Sequence, residues 1–156
     1  MPLPIILLAH NLRSMWNVGS LFRSADAFGI SHIHLTGYTA APPRKEISKV
    51  ALESEQWIPW SKSSDPMQVL EERRREGFLI LALEKREGSI PLSTYTVPSA
   101  AKGVCLILGH EILGVPEALC DAADEVVHIP MLGKKESLNV AVAAGIAMHH
   151  LRWSEQ

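Results

Sequence analysis

The chain predicts an α/β fold: a mostly parallel sheet flanked by helices. Three observations predict it. Strand-like and helix-like segments alternate along the 156 residues. FLILALE (78–84) and GVCLILGHE (103–111) are continuous apolar runs, as expected of strands covered on both faces. Polar, glycine-bearing stretches recur where strands end. In order, PIILLAH (4–10) reads as a buried strand, and VGSLFRSADAFGI (18–30) has helical spacing at Leu21, Phe22, Ala25 and Phe28 with Gly29 as a stop. HIHLTGY (32–38) is a short strand, APPRKEISKVALESE (41–55) a proline-marked loop entering a helix, and QWIPW (56–60) a short extended piece. DPMQVLEERRREG (65–77) is a helix with Asp65 as N-cap, Pro66 at its first position and Gly77 past its end. After the two apolar runs come a short helix, GVPEALCDAA (114–123), a strand, EVVHIP (125–130), and a last helix ending near Leu151. No internal repeat, low-complexity tract or linker interrupts the chain, which is expected to be a single domain over residues 1–156.

Composition narrows the function classes. At 47% hydrophobic and 21% charged residues the chain can bury a real core. A net charge of -2 gives no global pull toward nucleic acid, so a polyanion site must be a local patch. Cys105 and Cys120 lie in apolar segments and are expected as reduced core residues. MPLPIILLAH lacks a basic leader and a small-residue cleavage site, and no apolar run approaches the ~18 residues of a membrane span, so a cytoplasmic protein is expected. There is no G-x-G-x-x-G, no P-loop, no G-x-S-x-G elbow and no C-x-x-C or H-E-x-x-H pair, so no metal site is expected among the seven histidines.

Parallel α/β sheets bind ligands beyond the carboxyl ends of their strands. That rule gathers Asn11–Arg13, Asn17–Gly19, Glu84, Gly109–Glu111 and Pro130–Gly133 on one rim. Three stretches there carry candidate chemistry. In NVGSLFRSADAFG (17–29), Asn17 is expected to cap the helix and Gly19 to admit another backbone; Arg23, taken alone, is a solvated residue. In LGHEILGVPE (108–117), Glu111 stands at a strand's carboxyl end, where exposure alone would explain it. In IPMLGKKESLNVAVAAGIAMHHL (129–151), Ser137 is expected to cap a helix whose residues 140–148 leave no polar face. A helix apolar all round is expected to be buried on all sides, and its small residues permit close approach of a second subunit.

Together these stretches are specific. NVGSLFRSADAFG, LILGHEILGV (106–115) and IPMLGKKESLNVAVAAGIA (129–147) resemble, in order, the three motifs of the SpoU–TrmH type of the SPOUT superfamily of RNA methyltransferases. The resemblance spans essentially the whole catalytic domain. One departure is His110, where many relatives carry asparagine. The resemblance implies a deep trefoil knot near the C-terminus, which pattern reasoning would not propose. It implies S-adenosylmethionine as donor, held by Gly109, Ile129 and Leu138, with Leu83, Met131 and Ser137 in the same pocket. It also implies a homodimer whose active site uses both subunits; the last helix, with no polar face, then places Val142 and Ile146 near the seam and Ala143 beside them. The acceptor it implies is a ribose 2′-hydroxyl of RNA, with tRNA preferred and rRNA the alternative.

Arg23 matches the family's catalytic arginine. As a base it is at odds with a guanidinium that resists deprotonation; as a phosphate clamp that also stabilises a forming alkoxide it needs no proton loss. Both roles stay open. Asn17 and Glu111 would orient it, and Ser137 and Asn139 would complete the hydrogen-bonded shell. With the first motif so near the start, no separate RNA-binding domain is expected. RNA would then meet a local set of cations, Arg13, Arg23, Arg44, Lys45, Lys49, Lys134 and Lys135, whereas Arg73–Arg75 read as a solvated helix face. Two other readings compete: a base-methylating SPOUT enzyme, and a non-catalytic RNA-binding assembly factor.

Overall fold

A computed structural model describes residues 2–154. Seven strands, β1 (Ile5–His10), β2 (His32–Thr36), β3 (Trp60–Ser63), β4 (Phe78–Leu83), β5 (Ile90–Pro91), β6 (Gly103–Leu108) and β7 (Glu125–His128), form one sheet in the order β3-β2-β1-β6-β4-β7-β5. Every pairing is parallel. The apolar runs lie at its centre for the expected reason. Ile5, Leu7 and Ala9 point to one face and Ile6 and Leu8 to the other, and both faces are covered.

Helices α1 (Met15–Phe28), α2 (Lys45–Ala51) and α5 (Val140–Trp153) belong to the first face, with Leu21, Phe22, Ile47, Ala147 and Met148 buried in its core. On the second, α3 (Pro66–Arg75) and α4 (Glu117–Ala122) contribute Val69, Leu70, Leu119 and Cys120. Each fully buried Leu, Ile or Phe contributes about 1.5–3 kcal/mol, so the two layers fix the sheet firmly under its carboxyl rim. Gly19 is where α1 and α2 meet: a Cβ there would come within 2.6 Å of the Ile47 carbonyl oxygen. Cys105 and Cys120 are free thiols in the core.

Several expectations are corrected. The first helix begins at Met15, capped by Ser14, whose Oγ accepts from the Asn17 N–H at 3.3 Å; Asn17 lies inside the helix and is buried. The last helix is capped by Asn139, whose Oδ1 accepts from the N–H groups of Ala141 (2.9 Å) and Val142 (3.2 Å), leaving Ser137 exposed upstream. That helix is buried through Ala144, Ala147, Met148 and Leu151 but exposes Val142 and Ile146, so its uniform apolarity does not mean burial within one chain. The strand of 125–130 stops at His128. Trp60 starts β3, after a 3-10 turn at Ser54–Gln56. The two-residue β5 had no periodicity to reveal it, and its Pro91 is tolerated because the strand lies at an edge. The Arg73–Arg75 face is largely solvated, as expected, with Arg74 and Arg75 exposed; its surface ion pairs join Arg73 to Glu76 at 3.0 Å, Arg74 to Asp124 at 3.7 Å and Arg75 to Glu71 at 3.9 Å.

Candidate active site

Strand β6 inserts between β1 and β4, so the connections on its two sides diverge and leave a crevice above its carboxyl end. The cleft found there has a volume of about 150 Å³. Its apolar wall includes Leu83, Leu108, Ile129, Met131, Leu138, Val140 and Ala143, and Glu84, Lys85, His110, Glu111, His128, Glu136 and Ser137 add polar groups. All six residues expected to hold the donor line it: Leu83, Gly109, Ile129, Met131, Ser137 and Leu138. Ala143, expected beside a subunit seam, lines this cleft.

The floor is shaped by two crossing glycines. A Cβ on Gly109 would lie 2.4 Å from the Gly114 carbonyl carbon, and one on Gly114, which has φ +73°, would lie 2.0 Å from Glu84 Oε2. Glu84 Oε2 accepts from the Val115 N–H at 2.8 Å, so the acid at the end of β4 ties down the far side of the turn. The sequence places Glu84 on the rim but shows no role for it, because its partner lies 31 residues away.

A hydrogen-bonded chain crosses the rim beside the cleft. Glu111 accepts from the N–H groups of Arg13 and Ser14, both at 2.9 Å, and from Asn17 Nδ2 at 3.1 Å. Burial opposes the charge, but the backbone donors of Ser14 and Arg13 and the Asn17 amide outweigh it and hold the carboxyl below its ordinary range. Asn17 Oδ1 in turn accepts from Asn139 Nδ2 at 3.2 Å. The structure therefore brings Glu111, Asn17 and Asn139 together; Ser137 lines the cleft but makes no hydrogen bond to them. Arg23 is exposed on α1, does not line this cleft, and is held by neither Asn17 nor Glu111, contrary to the expected orienting contacts.

Arg13, Arg44, Lys45, Lys49, Lys134 and Lys135 are exposed, and among the described residues none of them, nor Arg23, forms an ion pair. Sequence reasoning missed the polar shell that fixes the neighbouring loops. His10 Nδ1 lies 2.9 Å from Thr36 Oγ1, Leu12 N–H donates to Thr39 Oγ1 at 3.0 Å, and Lys62 Nζ donates to the carbonyls of Gly37 and Thr39. Burial, and then the Lys62 charge, lower the His10 pKa. Among the described residues no group of three or more His, Cys, Asp or Glu side chains is arranged to hold a metal ion. A second, open groove lies between α1 and α5, lined by Ser20, Ser24, Phe28, Val142, Gly145 and Ile146 among others.

Comparison with known proteins gives this rim a lineage. The chain is 31% identical over 148 residues to a tRNA (guanosine(18)-2′-O)-methyltransferase of Aquifex aeolicus, covering 93% of this chain and 67% of that one. An AdoMet-bound rRNA methyltransferase from Sinorhizobium meliloti superposes with a TM-score of 0.86 at 29% identity, covering 96% of this chain and 56% of that one. The chain thus spans about half to two thirds of the length of these two relatives. A structure described as giving insights into the 2-OH methylation of C/U34 on tRNA superposes at 0.83 with 25% identity, covering 96% of this chain and 94% of that one. The model of the SpoU rRNA Methylase family matches residues 4–149, cleft and hydrogen-bonded rim included, and the chain belongs to that family.

Proposed function

We propose that the chain transfers the methyl group of S-adenosylmethionine to a ribose 2′-hydroxyl of RNA. The observation that carries the reading is the apolar cleft over the Gly109–Gly114 crossing, flanked by the Glu111–Asn17–Asn139 chain. The residues present fit the donor. Leu83, Ile129, Met131 and Leu138 offer apolar surface to a purine and a thioether chain, and the missing side chain at Gly109 brings backbone close. When bound, the donor supplies an electrophilic methyl on sulfur. The protein's own part is to orient, to exclude water and to stabilise charge on the acceptor oxygen. Orientation alone can supply roughly 7–11 kcal/mol of barrier reduction.

Arg23 is assigned to the acceptor, gripping its phosphate and favouring the forming alkoxide, with the role of base left as the alternative. Because Arg23 does not line the cleft of its own chain, we read the active form as a homodimer in which this arginine serves the partner's cleft. The exposed Val142 and Ile146 beside the α1–α5 groove support that reading. Residues 129–139, which return from β7 past the cleft to α5 on α1, are read as part of a deep trefoil knot.

Transfer RNA is the preferred substrate. The Aquifex aeolicus relative is a tRNA 2′-O-methyltransferase, and a solved structure of the same fold is described by 2-OH methylation on tRNA; the rRNA methyltransferase from Sinorhizobium meliloti keeps rRNA as the alternative. The seven exposed cations, without an ion pair among the described residues, are assigned to the RNA backbone, where local charge succeeds despite a net charge of -2. The reduced thiols support a cytoplasmic setting. Nucleoside mass spectrometry of tRNA and rRNA from cells with and without the gene tests the reading. One missing 2′-O-methylated nucleoside is expected; a missing base-methylated nucleoside would replace ribose with base as the target.

A further inference from the structure

The turn from His110 to Gly114 forms one wall of the cleft, and its interior is filled by an imidazole. His110 Nδ1 accepts from the N–H groups of Ile112 and Leu113, each at 3.0 Å. The turn is closed by His110 N–H to the Gly114 carbonyl at 3.1 Å and Gly114 N–H to the His110 carbonyl at 2.9 Å. A backbone N–H can only donate, so Nδ1 carries no proton and the ring's hydrogen sits on Nε2. Outside, Glu84 and the Gly109 crossing hold the turn; inside, this nitrogen is the only acceptor that the two N–H groups have among the described residues.

We infer that His110 is a positioning residue whose bare Nδ1 locks this turn against the cleft, and that protonation of Nδ1 unlocks it. A proton there would face two N–H groups that have lost their acceptor, at a cost that a local turn relieves by opening. Glu111 is in the same turn, so opening also loosens the carboxylate that holds Arg13, Ser14 and Asn17. Other titratable or charged groups face the turn: Glu84 and Lys85 from the end of β4, His128 from β7, Glu136 before α5 and Arg13 before α1. Asparagine separates the His110 contribution from theirs. Its Oδ1 stands the same number of bonds from Cα as Nδ1 and accepts without titrating.

The effect on donor binding rests on the proposed S-adenosylmethionine site; the turn itself is tested without ligand. In nitrogen-15 NMR of the whole protein, the Ile112 and Leu113 amide signals should shift in step with the His110 ring as pH falls. In His110→Asn they should hold their positions. Affinity for S-adenosylmethionine should fall roughly ten-fold over the same range in the native protein, what two ordinary hydrogen bonds are worth, and stay level in His110→Asn. His110→Ala should bind weakly throughout. A proton on Nδ1 at neutral pH, or amides indifferent to the ring, would overturn the lock. Responsive amides with no binding of S-adenosylmethionine at any pH would uphold the lock and remove the donor reading instead.

Discussion

Asn139 and Asn17, 122 residues apart in sequence, meet at 3.2 Å through Asn139 Nδ2 and Asn17 Oδ1. The contact joins the first turn of α1 to the N-cap of α5, and each asparagine has a second task. Asn17 Nδ2 donates to Glu111, and Asn139 Oδ1 caps its own helix. Cap and cross-link therefore use opposite ends of one amide, and substitution can separate them.

Asn139→Ala should lose both. The cap alone costs about 1 kcal/mol, a fall of about 2–4 °C in Tm for a domain of this size. Asn139→Asp keeps an acceptor for the helix but sets a carboxylate oxygen against Asn17 Oδ1. Its Tm should stay near the native value while methyl transfer drops, on the order of 10²-fold for a misplaced reacting geometry. Differential scanning calorimetry with a transfer assay on both variants checks this.

Glu111 gives stability a defined acid limb. Its folded pKa is depressed below 4.5, so its contribution is fully present at neutral pH and is lost as pH falls below 4.5 through the folded value. Glu111→Gln should be less stable at neutral pH, because one of the N–H groups of Arg13 and Ser14 would face an amide donor. The difference in Tm between native and variant should shrink in acid. A difference that is constant with pH would contradict the assignment.

Arg23→Ala should cut transfer by about 10²–10³-fold, the usual loss on removing one group that stabilises developing charge, and leave S-adenosylmethionine affinity unchanged. Arg23→Lys should also be poor, since lysine lacks the planar fork. Calorimetry for the donor beside a transfer assay separates the two effects. A native rate in Arg23→Ala would return the residue to solvated surface charge.

Val142→Glu and Ile146→Glu should each give folded monomers in sedimentation, with activity lost, because both side chains are exposed where α5 adjoins the α1 groove. Native sequence sedimenting as an active monomer would contradict the dimer.

Much of this was legible in the chain. Continuous apolar runs announce strands buried on two faces, and Asp65-Pro66 with Gly77 brackets α3 to the residue. The lining of the cleft was legible through the motif resemblance and the rule of strand ends: Leu83, Gly109 and Ile129 stand at the carboxyl ends of β4, β6 and β7. Capping was misread because Ser14 and Asn17, or Ser137 and Asn139, are cap-forming residues within a turn of each other. Which of them caps depends on where the incoming chain is held, and for α1 that is decided by Glu111, more than 90 residues away. Helix periodicity likewise could not tell the face of Ala143, which meets the cleft, from that of Val142, which meets solvent, since every neighbour is apolar. The role of His110 was invisible for the same reason: a turn's interior acceptor is a matter of backbone path, which sequence spacing does not specify.

This rim is proposed to move a methyl group to a ribose oxygen of RNA. The most direct measurement incubates the purified protein with methyl-labelled S-adenosylmethionine and unmodified tRNA, then digests the RNA to nucleosides for mass spectrometry. Label is expected on the ribose of one nucleoside and absent with Arg23→Ala. Label on a base, or none on tRNA or rRNA from a protein that binds the donor, would contradict it.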